Sequence, residues 1–169
     1  MNAGDAEQRG EAPIAKRQAG GFHCVVVGED DLAELLPMMR AYCDFYGVAP
    51  GDDRLEELAR ALIADPRHEG TQLIARGDDG EPLGFATLFW SWQTLDASRV
   101  GVMNDLFVVP AGRRRGVGRA LIEECRGRCR QHGAAELVWE TALDNETAQG
   151  LYESVGARES RWISYALDA

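Results

Sequence analysis

The chain has 169 residues, 45% of them hydrophobic, enough for one domain with a core and too few to make two expected. No apolar stretch approaches the roughly 20 residues that cross a bilayer, and no apolar run follows the basic residues near the start, so a cytosolic protein off the membrane is expected. Acidic residues number 28 against 18 basic, a net charge of −10, which argues against nucleic acid, whose affinity comes from neutralised phosphates; the excess acid either draws small cations or secures solubility.

Residues 1–20 carry few large apolar groups and three charges of each sign (Asp5, Glu7, Glu11; Arg9, Lys16, Arg17). They read as a disordered leader, and 21–169 as one folded domain. Phe22 to Val27 is a β-branched run ended by Gly28, and Glu29-Asp30-Asp31 supplies negative charge at the start of a helix from Leu32 to Tyr46. Leu32, Leu35, Leu36, Met39 and Cys43 recur there at helical spacing, with Pro37 in the first turn or at a kink. A second amphipathic helix, marked by Leu55, Leu58, Ala59 and Leu62, runs from near Asp52 to before Pro66. Thr71 to Arg76, a turn at Asp78-Asp79-Gly80 and the segment PLGFATLFWSW form a hairpin, followed by a strand from Arg99 to Val109 that Pro110 stops. The remaining elements are a helix over Gly116 to Gln131, a strand over Glu136 to Thr141, a helix over Asn145 to Ser154 and a closing strand over Arg158 to Leu167. The order β-α-α-β-β-β-α-β-α-β predicts an α+β fold, a mixed, mostly antiparallel sheet flanked by helices.

Chemistry is written most densely where the strand DLFVVP runs into AGRRRGVGRALIEE. Glycines with a basic flank just before a helix let backbone N–H groups approach a pyrophosphate, and the helix dipole adds attraction. The segment lacks both the GxGxxG of a dinucleotide fold and the GK[ST] of a P-loop. Cys24, Cys43, Cys125 and Cys129 have no CxxC spacing, and Cys125 and Cys129 with His132 fall short of the four ligands of structural zinc, so reduced thiols and no metal are expected.

Arg113-x-x-Gly116-x-Gly118 resembles the CoA-binding signature of the GNAT superfamily, a Gln or Arg followed by xxGxG/A. LVWETALDNETAQGLYESVGA resembles the same family's next strand and its N-xx-A-xxx-Y-xxx-GA helix, with Asn145, Ala148, Tyr152, Gly156 and Ala157 in register. Within the superfamily, GFATLFWSW and MNDLFVVPAGRRRGVG are most similar to the diamine (spermidine/spermine) acetyltransferase branch. The resemblance implies a GNAT fold, a homodimer, and acetyl transfer from acetyl-CoA to a primary amine of a small molecule by direct attack. A protein or peptide acetyltransferase and a catalytically silent acyl-CoA sensor are the alternatives.

Carried over by motif, Arg113, Arg114, Arg115, Gly116, Val117, Gly118 and Arg119 hold pyrophosphate. The strand Leu106-Phe107-Val108 pairs with the pantetheine arm and polarises the thioester through backbone N–H groups. Asn145 and Tyr152 lie beside the cofactor, and Tyr152 protonates the departing thiolate. Where the diamine branch carries a glutamate implicated in deprotonating the amine, this chain has Asn104, which cannot act as a base. An aliphatic amine of pKa near 10.4 is neutral at pH 7 only at a cost of about 4 to 5 kcal/mol, so a base or water relay is needed. Asp105 and Glu140 are the candidates, although regular strand alternation sends Asp105 to the face opposite Asn104. Trp90, Trp92, Trp139 and Trp162, with Phe45 and Tyr46, either pack the core or offer cation–π faces to an ammonium group.

Overall fold

In the computed structural model, which describes residues 21–168, the β-branched first segment forms β1 (Phe22–Val26). The expected leader lies outside the described residues. A single 3-10 turn, Glu29–Asp31, leads into α1 (Leu32–Phe45), and α2 (Asp52–Ala64) follows. Because the 3-10 turn stands apart from the helix, Pro37 falls beyond the first turn of α1 and leaves the Ala33 carbonyl without its helical donor. Then come β2 (Gly70–Gly77), β3 (Pro82–Gln93), β4 (Ser98–Val108), a 3-10 turn at Pro110–Gly112, α3 (Val117–His132), β5 (Glu136–Val138) and α4 (Glu146–Ser154).

The sheet has five strands in the order β1-β2-β3-β4-β5, with the first four antiparallel and β5 parallel to β4. Both faces are covered, which is why β2 and β3 read as nearly continuous apolar runs. On one face Ile74 and Phe85 pack with Leu35, Met38 and Met39 of α1 and with Leu55 and Ala59 of α2. On the other, Leu73, Ala75, Ala86, Leu88 and Met103 pack with Val117, Leu121, Cys125 and Cys129 of α3, and Leu151 and Tyr152 of α4, with Val155 just past its end, cover the edge of that cluster. The period-2 switch between Leu73 and Ile74, or Phe85 and Ala86, assigns neighbouring residues to separate cores.

Two departures from the sequence reading matter. The strand expected over Glu136 to Thr141 stops at Val138, and the closing strand expected over Arg158 to Leu167 does not form: residues 158–168 belong to no helix or strand. Trp162, Ile163, Tyr165 and Leu167 are 79–98% exposed. Their β propensity describes a fit to a half-buried pleated surface, and among the described residues no strand runs alongside them to supply one. The element order is therefore β-α-α-β-β-β-α-β-α.

Candidate active site

Two irregularities in β4 create the site. First, β5 accompanies β4 only where Val100, Gly101 and Val102 face Glu136, Leu137 and Val138. From Met103 to Val108 the strand is paired with β3 alone, and its other edge opens onto the gap left by β5. Second, Thr87 of β3 faces Asp105 whereas Leu88 faces Met103, so Asn104 is the extra residue of a β-bulge. The bulge overturns the alternation expected from the sequence. Asn104 and Asp105 do not stand on opposite faces, because the Asn104 side-chain amide donates to Asp105 Oδ1 at 3.0 Å.

Asp105 is 8% exposed and lies under α1. Burial pushes its carboxyl above the usual carboxylate range, while hydrogen bonds from Thr87, Asn104 and Tyr42 pull it back part of the way. The Tyr42 hydroxyl sits between that carboxylate and the Asn104 carbonyl oxygen, 3.5 Å away. Burial and the negative charge of Asp105 drive the Tyr42 phenol well above its ordinary range, so it stays protonated as a donor. Its ring meets Tyr46 edge-on at 5.1 Å and Phe107 at 6.4 Å, and Phe45 and Tyr46 turn exposed aromatic surface outward beside it.

At the far end of β4, the chain enters α3 through a tight loop rich in glycine and arginine. Arg114 and Gly116 both have positive φ, 59° and 87°, a bend that gathers successive N–H groups. Arg114 tolerates this conformation at a cost of about 1–2 kcal/mol, whereas Gly116 has no side chain to strain. No side chain caps α3, and its first backbone bond runs from Ala120 N–H to the Gly116 carbonyl at 3.0 Å. The amides of Val117, Gly118 and Arg119 are therefore left without a helical acceptor. Among the described residues Arg114 and Arg115 form no ion pair. Arg113 donates through Nε to the Val108 carbonyl at 3.2 Å and Arg119 through Nη2 to Ser154 Oγ at 3.0 Å, so these two brace the loop against β4 and α4. A Cβ at Gly118 would come 3.0 Å from Leu151 Cδ2, and its absence lets α4 close on the base of the loop.

Tyr152 is half-buried on α4, its ring against Trp139 at 5.2 Å. Burial and the nearby Tyr46 raise its phenol, against a hydrogen bond with Thr141 that lowers it, so its proton is held at neutral pH. Tyr46 thus links Tyr152 on one side to Tyr42 and Asp105 on the other. Asn145 caps α4, its Oδ1 accepting from Ala148 N–H at 3.2 Å. Glu140 lies past the end of β5, exposed, and no described residue hydrogen-bonds to it. Of the two carboxylates singled out in the sequence, only Asp105 joins the tyrosines. Sequence reasoning missed Tyr42 and Thr87. Their signals were the Tyr42, Phe45, Tyr46 spacing of i, i+3, i+4 on one helix face and a lone threonine inside GFATLFW.

Among the described residues no helix is long and apolar enough to cross a membrane, and no group of His, Cys, Asp or Glu is arranged to hold a metal ion. Residues 35–157 match the model of the Acetyltransferase (GNAT) family. The chain is 32% identical over 139 residues to an uncharacterized N-acetyltransferase, YhfO, of Bacillus subtilis, covering 82% of this chain and 91% of that one. It is also 32% identical over 117 residues to aminoglycoside N(6')-acetyltransferase type 1 of Stenotrophomonas maltophilia, covering 68% and 74%. The fold superposes on a solved structure of AAC(6')-Iy in complex with the bisubstrate analogue CoA-S-monomethyl-acetylneamine, with a TM-score of 0.76, 22% identity and coverage of 88% of this chain and 99% of that one.

A buried carboxylate with a raised pKa weakens the fold it sits in. The native state binds the Asp105 proton more tightly than the unfolded state, so stability is lost as pH rises from the ordinary carboxylate range through the raised folded value. Asp105→Asn should therefore raise the thermal midpoint at pH 8 relative to the parent, with the difference shrinking as pH falls through that window. Thermal unfolding across pH reads the outcome directly.

Proposed function

The chain belongs to the GNAT acetyltransferase family, and we propose that it transfers the acetyl group of acetyl-CoA to a primary amine of a small cationic molecule. Acetyl-CoA, the donor throughout this family, supplies when bound an acetyl thioester and a pyrophosphate. The observation that carries the acceptor class is the buried Asp105 at the hydroxyl of Tyr42, with the exposed rings of Phe45 and Tyr46 nearby: a carboxylate and aromatic rings are complementary to an ammonium group. The net charge of −10 adds long-range attraction of the same sign.

In this reading the amides of Val117, Gly118 and Arg119, with Arg114 and Arg115, hold the pyrophosphate at the start of α3. The one-sided β4 edge over Leu106, Phe107 and Val108 offers backbone groups to the pantetheine arm. Asp105 takes the proton from the bound ammonium, since a base held above the usual carboxylate range is better matched to that transfer and it alone of the two carboxylates stands among the tyrosines. Tyr152 keeps its proton at neutral pH and gives it to the departing thiolate. The family resemblance also supports a homodimer, and the exposed apolar side chains of 162–167 give a second copy something to cover.

Release of free CoA from acetyl-CoA in the presence of polyamines, amino acids, aminoglycosides and basic peptides tests the acceptor. Turnover with a cationic small-molecule amine is expected; acceleration by peptides alone would contradict it. Tyr152→Phe should lower kcat by roughly 10²–10⁴ with acetyl-CoA affinity little changed, and an unaltered rate would remove Tyr152 as the acid. Gly116→Asp should abolish acetyl-CoA binding in calorimetry while the protein stays folded, because no atom within 4 Å opposes a Cβ there but the φ of 87° and a negative charge both spoil the anion cradle. Sedimentation at working concentration should find a dimer; a monomer would remove that part of the proposal.

A further inference from the structure

Across the face of the sheet beneath α1, one row is polar where its neighbours are apolar. Gln72 of β2 is in direct register with Thr87 of β3, and Thr87 with Asp105 of β4. Gln72 is 2% exposed and Thr87 fully buried, while the adjoining row on that face carries Ile74 and Phe85. Gln72 Oε1 has no hydrogen-bond partner among the described residues. Leucine and valine at these two positions would avoid burying polar groups, so packing alone does not account for the row.

The donors run in one direction. Gln72 Nε2 lies 3.1 Å from Thr87 Oγ1 and 3.6 Å from Met39 Sδ. A thioether sulfur only accepts, so the amide presents its N–H groups to that side. With Thr87 Oγ1 already accepting from Gln72, the one hydroxyl proton of Thr87 is left to be donated onward, and the group it faces directly across the strands is Asp105, whose carboxyl pKa it lowers.

We infer that Gln72 and Thr87 are positioning residues, a buried relay that commits the Thr87 proton to Asp105 and so favours the ionised carboxylate against its burial and holds it in one orientation. The inference deepens the reading in which Asp105 is the base and rests on it for its bearing on catalysis. The titratable groups turned toward Asp105 are Tyr42 and Cys43 of α1, with Tyr46 beyond Tyr42; its own strand contributes the neutral Asn104, and β2 and β3 contribute only Gln72 and Thr87.

The test is a carbon-13 NMR titration of the Asp105 carboxyl in the full chain, paired with the pH profile of kcat/KM. Thr87→Val should move the carboxyl midpoint upward by about one pH unit, the worth of a hydrogen bond to a charged group, and shift the acid side of the rate profile with it. Thr87→Ser, which keeps the hydroxyl, should restore both. An unmoved midpoint in Thr87→Val would overturn the relay. Gln72→Leu gives an independent reading should the first variant fail to fold: the midpoint should again rise, by less, and no change would likewise overturn the inference. A shifted midpoint with an unchanged rate profile supports the relay and instead removes Asp105 as the base.

Discussion

The parting of β5 from β4 after Val102 is the constraint on which the rest of the molecule depends. Inside a continuous sheet the backbone N–H and C=O groups of Met103 to Val108 would be used on both sides, and nothing extended could lie against them. Because β5 is three residues long, one edge of β4 is free over the stretch that points at the start of α3. The same parting makes room for Trp139 and Tyr152 to stack edge-on, and it brings α4 close enough for Arg119 to reach Ser154. An unpaired strand edge leading to the uncapped start of α3 thus follows from the failure of one strand pairing.

The bulge at Asn104 is the second half of the same device. One extra residue re-aims Asp105 toward Tyr42 and brings its carboxylate into line with Thr87 and Gln72. A carboxylate buried there is held against its solvation preference, and three hydrogen bonds compensate only in part. The fold tolerates this because the surrounding cores are otherwise apolar and closed, with Leu35, Leu73, Ile74, Phe85, Leu88 and Leu121 fully buried. Stability is concentrated in the two cores, and the left-handed non-glycine residues among those described, Ala97 and Arg114, lie outside them in turns.

Most of the fold was legible in the sequence because local and tertiary signals agreed. The two-sided burial of β2 and β3 is written as apolar runs, the helices as 3.6-residue periodicity, and the break before α3 as glycines following Pro110. The closing strand failed for a tertiary reason: Trp162, Ile163 and Tyr165 have strand chemistry without a strand beside them. The orientation of Asp105 failed for a topological one. A bulge is a fact about register between two strands, and no single-strand pattern in MNDLFVV reveals that Thr87 skips Asn104 to face Asp105. The aromatic spacing around Tyr42 marks a helix face but not its partner, and Gln72 carries no signal at all, since the importance of both lies in what they touch across the sheet.

The account stands or falls on the open edge of β4 being the place where acetyl-CoA lies. Hydrogen exchange resolved to single amides, with and without acetyl-CoA, measures this directly. Added acetyl-CoA should slow exchange at Leu106, Phe107 or Val108 on β4 and at Val117, Gly118 and Arg119 at the start of α3, while amides between β1 and β2 are unaffected. Exchange at β4 and the start of α3 that is unchanged by saturating acetyl-CoA would contradict it.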